Sequence, residues 1–83
     1  MTPDQIRDVV LSELVRVAPE VDVGALAASR PLRDQVDLDS MDWLNFLIAL
    51  HERTGVEIPE SDYRRLTTLD AVIAYLAGKR PTA

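Results

Sequence analysis

Cysteine is absent from the 83 residues, and histidine occurs once, as His51. Without cysteine there is no disulfide stapling and no thiolate-built zinc site, and one histidine cannot make a histidine-rich metal site. Any cation would have to be held by carboxylates alone. No apolar run approaches the roughly 20 residues that span a bilayer, so no membrane insertion is expected. The start, Met1-Thr2-Pro3-Asp4-Gln5, is polar and acidic where a signal peptide begins basic, and a soluble cytoplasmic protein is the expectation. Length is also scarce. A chain of this size makes one domain, residues 1–83, and buries only about 60–65% of its unfolded surface. Hydrophobic residues make up 47%, a normal share for a folded chain and too large for a disordered one.

Basic residues are few, nine Lys and Arg against fourteen acids, and their distribution is uneven. Residues 1–33 carry a net −1, residues 34–62 a net −7 with Arg53 their sole base, and residues 63–83 a net +3. An acidic middle of this kind repels phosphate backbones and attracts basic protein surfaces, so nucleic acid is excluded as a partner.

Thr2, Pro3 and Gln5 form a capping-box start, after which Ile6, Val9, Val10, Leu14 and Val17 recur at helical spacing. Pro19 stops this helix near Ala18. Pro19 to Asp39 reads as a long connection punctuated by Gly24 and Pro31, with a short helical turn over 24–29. Val21, Leu26, Leu32, Val36 and Leu38 are spaced to pin it to a core, so it should be ordered. The strongest helix runs from Ser40 to Arg53 and ends at Thr54-Gly55, with glycine as a left-handed cap. A brief helical turn over Glu60–Arg65 follows. Thr67 or Thr68 then caps a last helix that buries Leu69, Val72, Ile73 and Leu76 and is closed by Gly78. The tail from Lys79 to Ala83 is polar and expected to fray. The fold class is all-α, a small four-helix bundle with a long loop between the first and second helices.

The helix led by Ser40 has more apolar surface than a core requires. At 100° per residue, Trp43, Phe46, Leu47 and Leu50 span about 100°, enough for a core stripe. Met41 and Ile48, with Leu44 at the border, fall on another arc beside Asn45 and Glu52. Met41, Asn45, Ile48 and Glu52 form a continuous second stripe, which reads as a docking face.

Asp37-Leu38-Asp39-Ser40-Met41-Asp42 sets Ser40 at the start of that helix with acids on both sides. Taken alone, Ser40 is an N-cap. In context, Asp39-Ser40-Met41 after a long loop resembles the Asp-Ser-Leu signature of acyl carrier proteins and related carrier domains. The resemblance extends over nearly the whole chain, through Gly55-Val56-Glu57-Ile58-Pro59 and from Leu66-Thr67-Thr68-Leu69 to Leu76.

The resemblance implies that a phosphopantetheinyl transferase attaches 4′-phosphopantetheine from coenzyme A to the Ser40 hydroxyl. The arm's thiol then carries acyl groups as thioesters between enzymes, and the chain itself is no enzyme. The cofactor brings the sulfur the chain lacks. Asp39 and Asp42 repel the phosphate, so their use is recognition of basic partners and help in placing the transferase's metal ion; the chain itself binds no metal. Asp39, Met41, Asp42, Leu44, Asn45, Ile48 and Glu52 are expected to meet acyl-loading and acyl-processing enzymes with basic docking surfaces. Leu47, Ile58 and Leu66 are expected beside an acyl-chain cavity, and Trp43 is either core or the cavity entrance. A monomer is expected.

Asn45 and His51 stand where carriers of housekeeping fatty acid synthesis commonly have acids, and Arg53 interrupts the acidic end. Electrostatic steering is correspondingly weaker, and Met41, Leu44 and Ile48 matter more. Met41 for leucine is nearly volume-conserving. These departures favour a dedicated carrier in a specialised lipid, polyketide or amino-acid pathway. An aminoacyl or peptidyl carrier keeps the same fold with different cargo, and an unmodified helical interaction module is the third reading. Asp37-x-Asp39-x-x-Asp42 is no calcium loop, because the sixth position is Asp42 and the twelfth is Ile48, neither of which suits that turn. Ser40 and His51 lie about 16 Å apart along one helix and form no triad. His51 reads as a surface residue. Arg64-Arg65, and likewise Arg30 and Arg33, read either as a solvated face or as a phosphate anchor.

Overall fold

Thr2 opens the structure, a computed structural model that describes residues 1–79, with the capping box its sequence predicts. Its hydroxyl accepts from the Gln5 N–H at 3.2 Å, and Gln5 Oε1 accepts from the Thr2 N–H at 2.9 Å. The helix so started, α1 (Pro3–Val17), buries Ile6, Val9, Val10 and Leu14 and stops at Ala18, before Pro19. Of the tail expected to fray, Lys79 to Ala83, only Lys79 is among the described residues, where it has extended backbone after α4 with its Nζ 4.9 Å from the centre of the Tyr75 ring.

The long connection is ordered, and it contains one helix that hydrophobic spacing did not reveal. A 3-10 turn at Val23–Ala25 is capped by Asp22, whose carboxylate accepts from the Gly24 N–H at 3.1 Å. One turn of helix, α2 (Leu32–Gln35), follows. Leu32, Val36 and Leu38 are buried, and Val21 and Leu26 pack against the same core. Polar groups complete the fastening. Gln35 Oε1 accepts from the Ala27 N–H at 2.7 Å, and its Nε2 donates back to the Ala27 carbonyl at 2.9 Å. The loop is also tied to the chain before the last helix. The Leu32 N–H donates to the Thr67 carbonyl at 2.8 Å, and the Asp70 N–H donates to that of Ala28 at 3.0 Å. These bonds satisfy backbone groups that would otherwise be stranded in an irregular segment.

The serine-led helix is α3 (Ser40–Thr54). Its stop is the expected one. Gly55 sits at φ 71°, in the left-handed region, and its N–H donates to the His51 carbonyl at 2.8 Å. Thr54 returns its hydroxyl to the Leu50 carbonyl at 2.7 Å and accepts from the Val56 N–H at 3.2 Å, which turns the chain back toward the core. A 3-10 helix (Glu60–Arg65) follows, then α4 (Leu69–Gly78). Thr68, not Thr67, caps α4, accepting from the Ala71 N–H at 3.0 Å. Gly78 remains within α4 and does not adopt the left-handed conformation expected of a closing glycine.

α1 packs against both α3 and α4. Phe46, Leu14, Leu32, Leu47, Leu50, Leu66 and Leu69 are wholly buried, so the core draws on every helical segment except the two 3-10 elements. No strand occurs among the described residues, and the fold is the all-α bundle expected of an acyl carrier protein. Among the described residues one charged side chain lies inside it. Glu13, 3% exposed, receives Arg53 Nη1 at 3.1 Å and Arg16 Nη1 at 3.4 Å. Arg53 therefore clamps the end of α3 to α1 rather than facing a partner with its whole length.

Candidate functional site

Everything at the start of α3 follows from which side chain caps it. The cap is Asp39, not Ser40. Asp39 holds extended backbone (φ −79°, ψ 179°), and its carboxylate accepts from the Asp42 N–H at 2.7 Å. Asp42 reaches back to the Asp39 N–H at 3.4 Å. The two acids form a capping box, so both carboxylates are engaged in starting the helix. Ser40 is thereby moved one place forward, to the first helical residue, where its hydroxyl is not needed as a cap and is exposed.

Of the first four α3 N–H groups, that of Asp42 goes to the Asp39 carboxylate and that of Trp43 to the Asp39 carbonyl at 3.0 Å. The N–H groups of Ser40 and Met41 have no partner within the helix. They stand at the positive end of its dipole, beside the Ser40 hydroxyl. A phosphate ester on that hydroxyl fits this surrounding, since such N–H groups and the helix end both favour an anion.

The outer stripe of α3 is presented to solvent. Met41 is 64% and Ile48 43% exposed, Asn45 and Glu52 are exposed, and Leu44 and Asp42 are half-buried. The core stripe is as expected for Phe46, Leu47 and Leu50, whereas Trp43 is only half-buried. Its ring leans on Phe46 with centroids 5.3 Å apart, and it also walls a cleft of about 310 Å³. Pro31, Arg33, Tyr63, Arg64 and Leu66 complete most of that wall. Trp43 thus packs against the core and also walls this cleft. Of the three residues expected beside an acyl cavity, Leu66 lines this cleft. Leu47 lies in the closed core, and Ile58 packs half-buried against that core, away from the cleft wall.

His51 is exposed, and its Nδ1 donates to the Val56 carbonyl at 2.7 Å, which fastens the turn after α3. Arg65 lies 3.9 Å from Asp62. Arg33 donates through Nε to the Leu38 carbonyl at 3.3 Å and is among the residues that line the cleft. Arg30 and Asp37 are exposed. No group of three or more acidic or histidine side chains converges as a metal would require among the described residues.

Sequence reasoning passed over two interactions. Glu13 falls on the buried arc of α1 with Ile6, Val9, Val10 and Val17, so its helical phase signalled a buried acid in need of a base. Tyr75, also buried, donates its hydroxyl to Asp62 Oδ2 at 2.6 Å, with the Glu57 carbonyl at 3.3 Å as the other acceptor. Burial first, then the hydrogen bond to Asp62 and its negative charge, push the Tyr75 phenol up from 10.0 to about 12, with Arg65 opposing.

Known proteins share this pattern. The family described as "Phosphopantetheine attachment site" matches residues 5–76. The acyl carrier protein of Campylobacter hominis is 32% identical over 73 residues, covering 88% of this chain and 86% of its own length. That of Campylobacter fetus is 32% identical over 75 residues, covering 90% of this chain and 91% of its own. Members of the family are carriers rather than catalysts, and the group they carry is covalently attached 4′-phosphopantetheine. With its long ordered loop, its exposed serine opening α3 and a match that runs from α1 into α4, this chain belongs to the acyl carrier protein family.

Proposed function

We propose that Ser40 is the attachment point of 4′-phosphopantetheine, that a phosphopantetheinyl transferase loads it, and that the chain then presents acyl thioesters to successive enzymes. One observation carries this reading. Ser40 is the first residue of α3, exposed and relieved of capping by Asp39, with two unpartnered N–H groups beside its hydroxyl. In loading, the serine oxygen forms a phosphodiester as the bond to the nucleotide half of coenzyme A breaks, and the serine proton passes to the transferase. When bound, the arm supplies a terminal thiol on which acyl groups are held. The chain's own part is to keep the hydroxyl outward on rigid backbone and to bring partners to it.

The docking surface is Asp39, Met41, Asp42, Leu44, Asn45, Ile48 and Glu52. Met41 and Ile48 are the exposed apolar contacts, and the carboxylates are the attraction for partners basic around their active-site mouths. With Asn45 on this face and Arg53 turned to Glu13, apolar contact has the larger share, which suits a dedicated carrier in a specialised lipid, polyketide or related pathway. The acyl chain folds back into the cleft at Leu66, and deeper entry would bring it toward Leu47 and Ile58. Residues 1–83 act as one carrier domain, monomeric and cytoplasmic. No helix among the described residues is long and apolar enough to cross a membrane.

The test is an intact mass after incubation with coenzyme A, magnesium and a broad-specificity transferase. The parent should gain one phosphopantetheine and Ser40→Ala none. No gain in a folded parent would leave α3 as a docking helix without an arm. Subsequent loading with acyl rather than aminoacyl donors separates an acyl carrier from an aminoacyl or peptidyl one.

A further inference from the structure

The seam where α1 packs on α3 opens into a second hollow of about 310 Å³. α3 lines it with Asn45, Ile48, Ala49 and Glu52, an i, i+3, i+4, i+7 row. At 100° per residue the middle of that row lies about 170° round α3 from Trp43, so this hollow is on the opposite flank from the cleft. α1 supplies the facing wall, with Val17 and Arg16 above Glu13. Val17 and Ala49 are half-buried, and Ile48 stands exposed at the rim. Glu13, 3% exposed, is the deepest group, and its charge is already answered by Arg53 at 3.1 Å and Arg16 at 3.4 Å. The hollow is therefore an apolar seat with no unanswered charge beneath it.

Its rim is polar and unsatisfied. The side chains of Asn45 and Glu52 have no hydrogen-bonding or ionic partner among the described residues, whereas Glu13, Asp42 and Asp62 are each engaged. Two helical rows facing each other across a seam accept the ridge of a third helix. At about 30 Å³ for each water-sized group, 310 Å³ holds on the order of ten non-hydrogen atoms, which suits two leucine-sized side chains. Charge selects between occupants. A second copy of this chain, itself at net −5, would set acid against acid, while a cationic helix would answer Glu52.

The geometry points to the α1–α3 groove as the seat of a partner helix whose apolar edge enters between Val17 and Ile48 and whose flanking lysine or arginine meets Glu52. The inference rests on α3 being the docking face, and it adds α1 to that face and names the chemistry of what docks.

The experiment titrates the full isotope-labelled chain with two synthetic helical peptides and reads backbone amide shifts. One peptide has leucines at i and i+4 flanked by lysines, and in the other both leucines are alanine. The leucine peptide should shift Val17, Ile48 and Ala49 and bind about tenfold more tightly than the alanine peptide. Ala49→Leu fills the seat and should cost the leucine peptide about the same tenfold while leaving the alanine peptide unchanged. Glu52→Gln should weaken both peptides roughly twofold, a difference that disappears in ~1 M salt. Val23→Ala, an exposed apolar residue outside the groove, should change neither. Circular dichroism checks the fold of Ala49→Leu, and the peptide pair with Glu52→Gln decides the matter without it.

Equal binding of the two peptides would reduce the contact to charge attraction and overturn the seat. Shifts that follow Met41 and spare Val17 would leave α3 as a docking face and overturn the groove alone. Shifts at Val17 and Ile48 that grow with chain concentration before any peptide is added would make a second copy the occupant and overturn the partner helix. No shift on α3 from either peptide would remove the docking face and the groove together.

Discussion

Asp39 separates two roles that a sequence alone runs together. As an acid beside Ser40 it resembles a docking charge, but in the structure its carboxylate accepts from the Asp42 N–H at 2.7 Å and starts α3. Asp39→Ala removes the cap and leaves the Asp42 N–H without its acceptor at the end of a 15-residue helix. The expected cost is about 0.5–2 kcal/mol. For a domain of this size each kcal/mol lowers Tm by roughly 4–8 °C. Asp39→Asn keeps an oxygen in the same place, and asparagine caps about as well as aspartate. It loses only the charge–dipole part, about 0.3–1 kcal/mol at an exposed site. Urea unfolding followed by circular dichroism should therefore order the proteins parent, Asn, Ala, with most of the loss appearing at the second step. Transferase rates on the same three proteins give a complementary reading. A recognition role for the charge would slow Asn and Ala alike, whereas a positioning role would slow Ala selectively. Equal stability of Ala and parent would refute the capping argument, as would Asn falling as far as Ala.

Other consequences reach beyond the site. Arg53→Met leaves the buried Glu13 carboxylate with only the longer contact to Arg16, and should cost about 1–3 kcal/mol in urea unfolding. Gln35→Ala removes the paired bonds to Ala27 and should raise hydrogen exchange at the Ala27 amide while leaving the amides of α1 protected. Tyr75→Phe removes the 2.6 Å donation to Asp62 and should destabilise by about 1–3 kcal/mol near neutral pH. Because the folded phenol sits near 12 against an ordinary 10.0, the folded state keeps its proton longer than the unfolded chain. That part of the stability is complete below pH 10 and is lost as pH rises toward 12, a decline the Phe variant should lack.

Much of this was legible because it is written in local periodicity. The buried faces of α1 and α4, the two apolar stripes of α3 and the Gly55 stop follow from helical spacing and glycine's tolerance of positive φ. The α2 turn was not, since four residues carry no periodic signal and its order comes from Gln35 and from the Leu32 backbone bond to Thr67, over 30 residues along the chain. Ser40 as cap was a misreading with a physical cause. Asp and Ser are nearly equivalent caps, and either Asp39 or Ser40 could open the helix by propensity alone. The structure chooses Asp39 because Asp42, three residues on, completes a box with it, while the residue three beyond Ser40 is Trp43. The cleft was half visible. Leu66 and Trp43 belong to it, but the guanidiniums that border it come from the loop and the 3-10 helix, which only the folded chain brings together.

The central claim is that one hydroxyl bears the arm, and trypsin isolates that hydroxyl. Cleavage after Arg33 and Arg53 releases residues 34–53, in which Ser40 is the sole serine, threonine or tyrosine. The measurement is peptide mass spectrometry of the loaded chain. The account predicts the full mass of one phosphopantetheine on that peptide and on none of those bearing Ser12, Ser29 or Ser61. An unmodified 34–53 peptide from a folded, transferase-treated chain would contradict it.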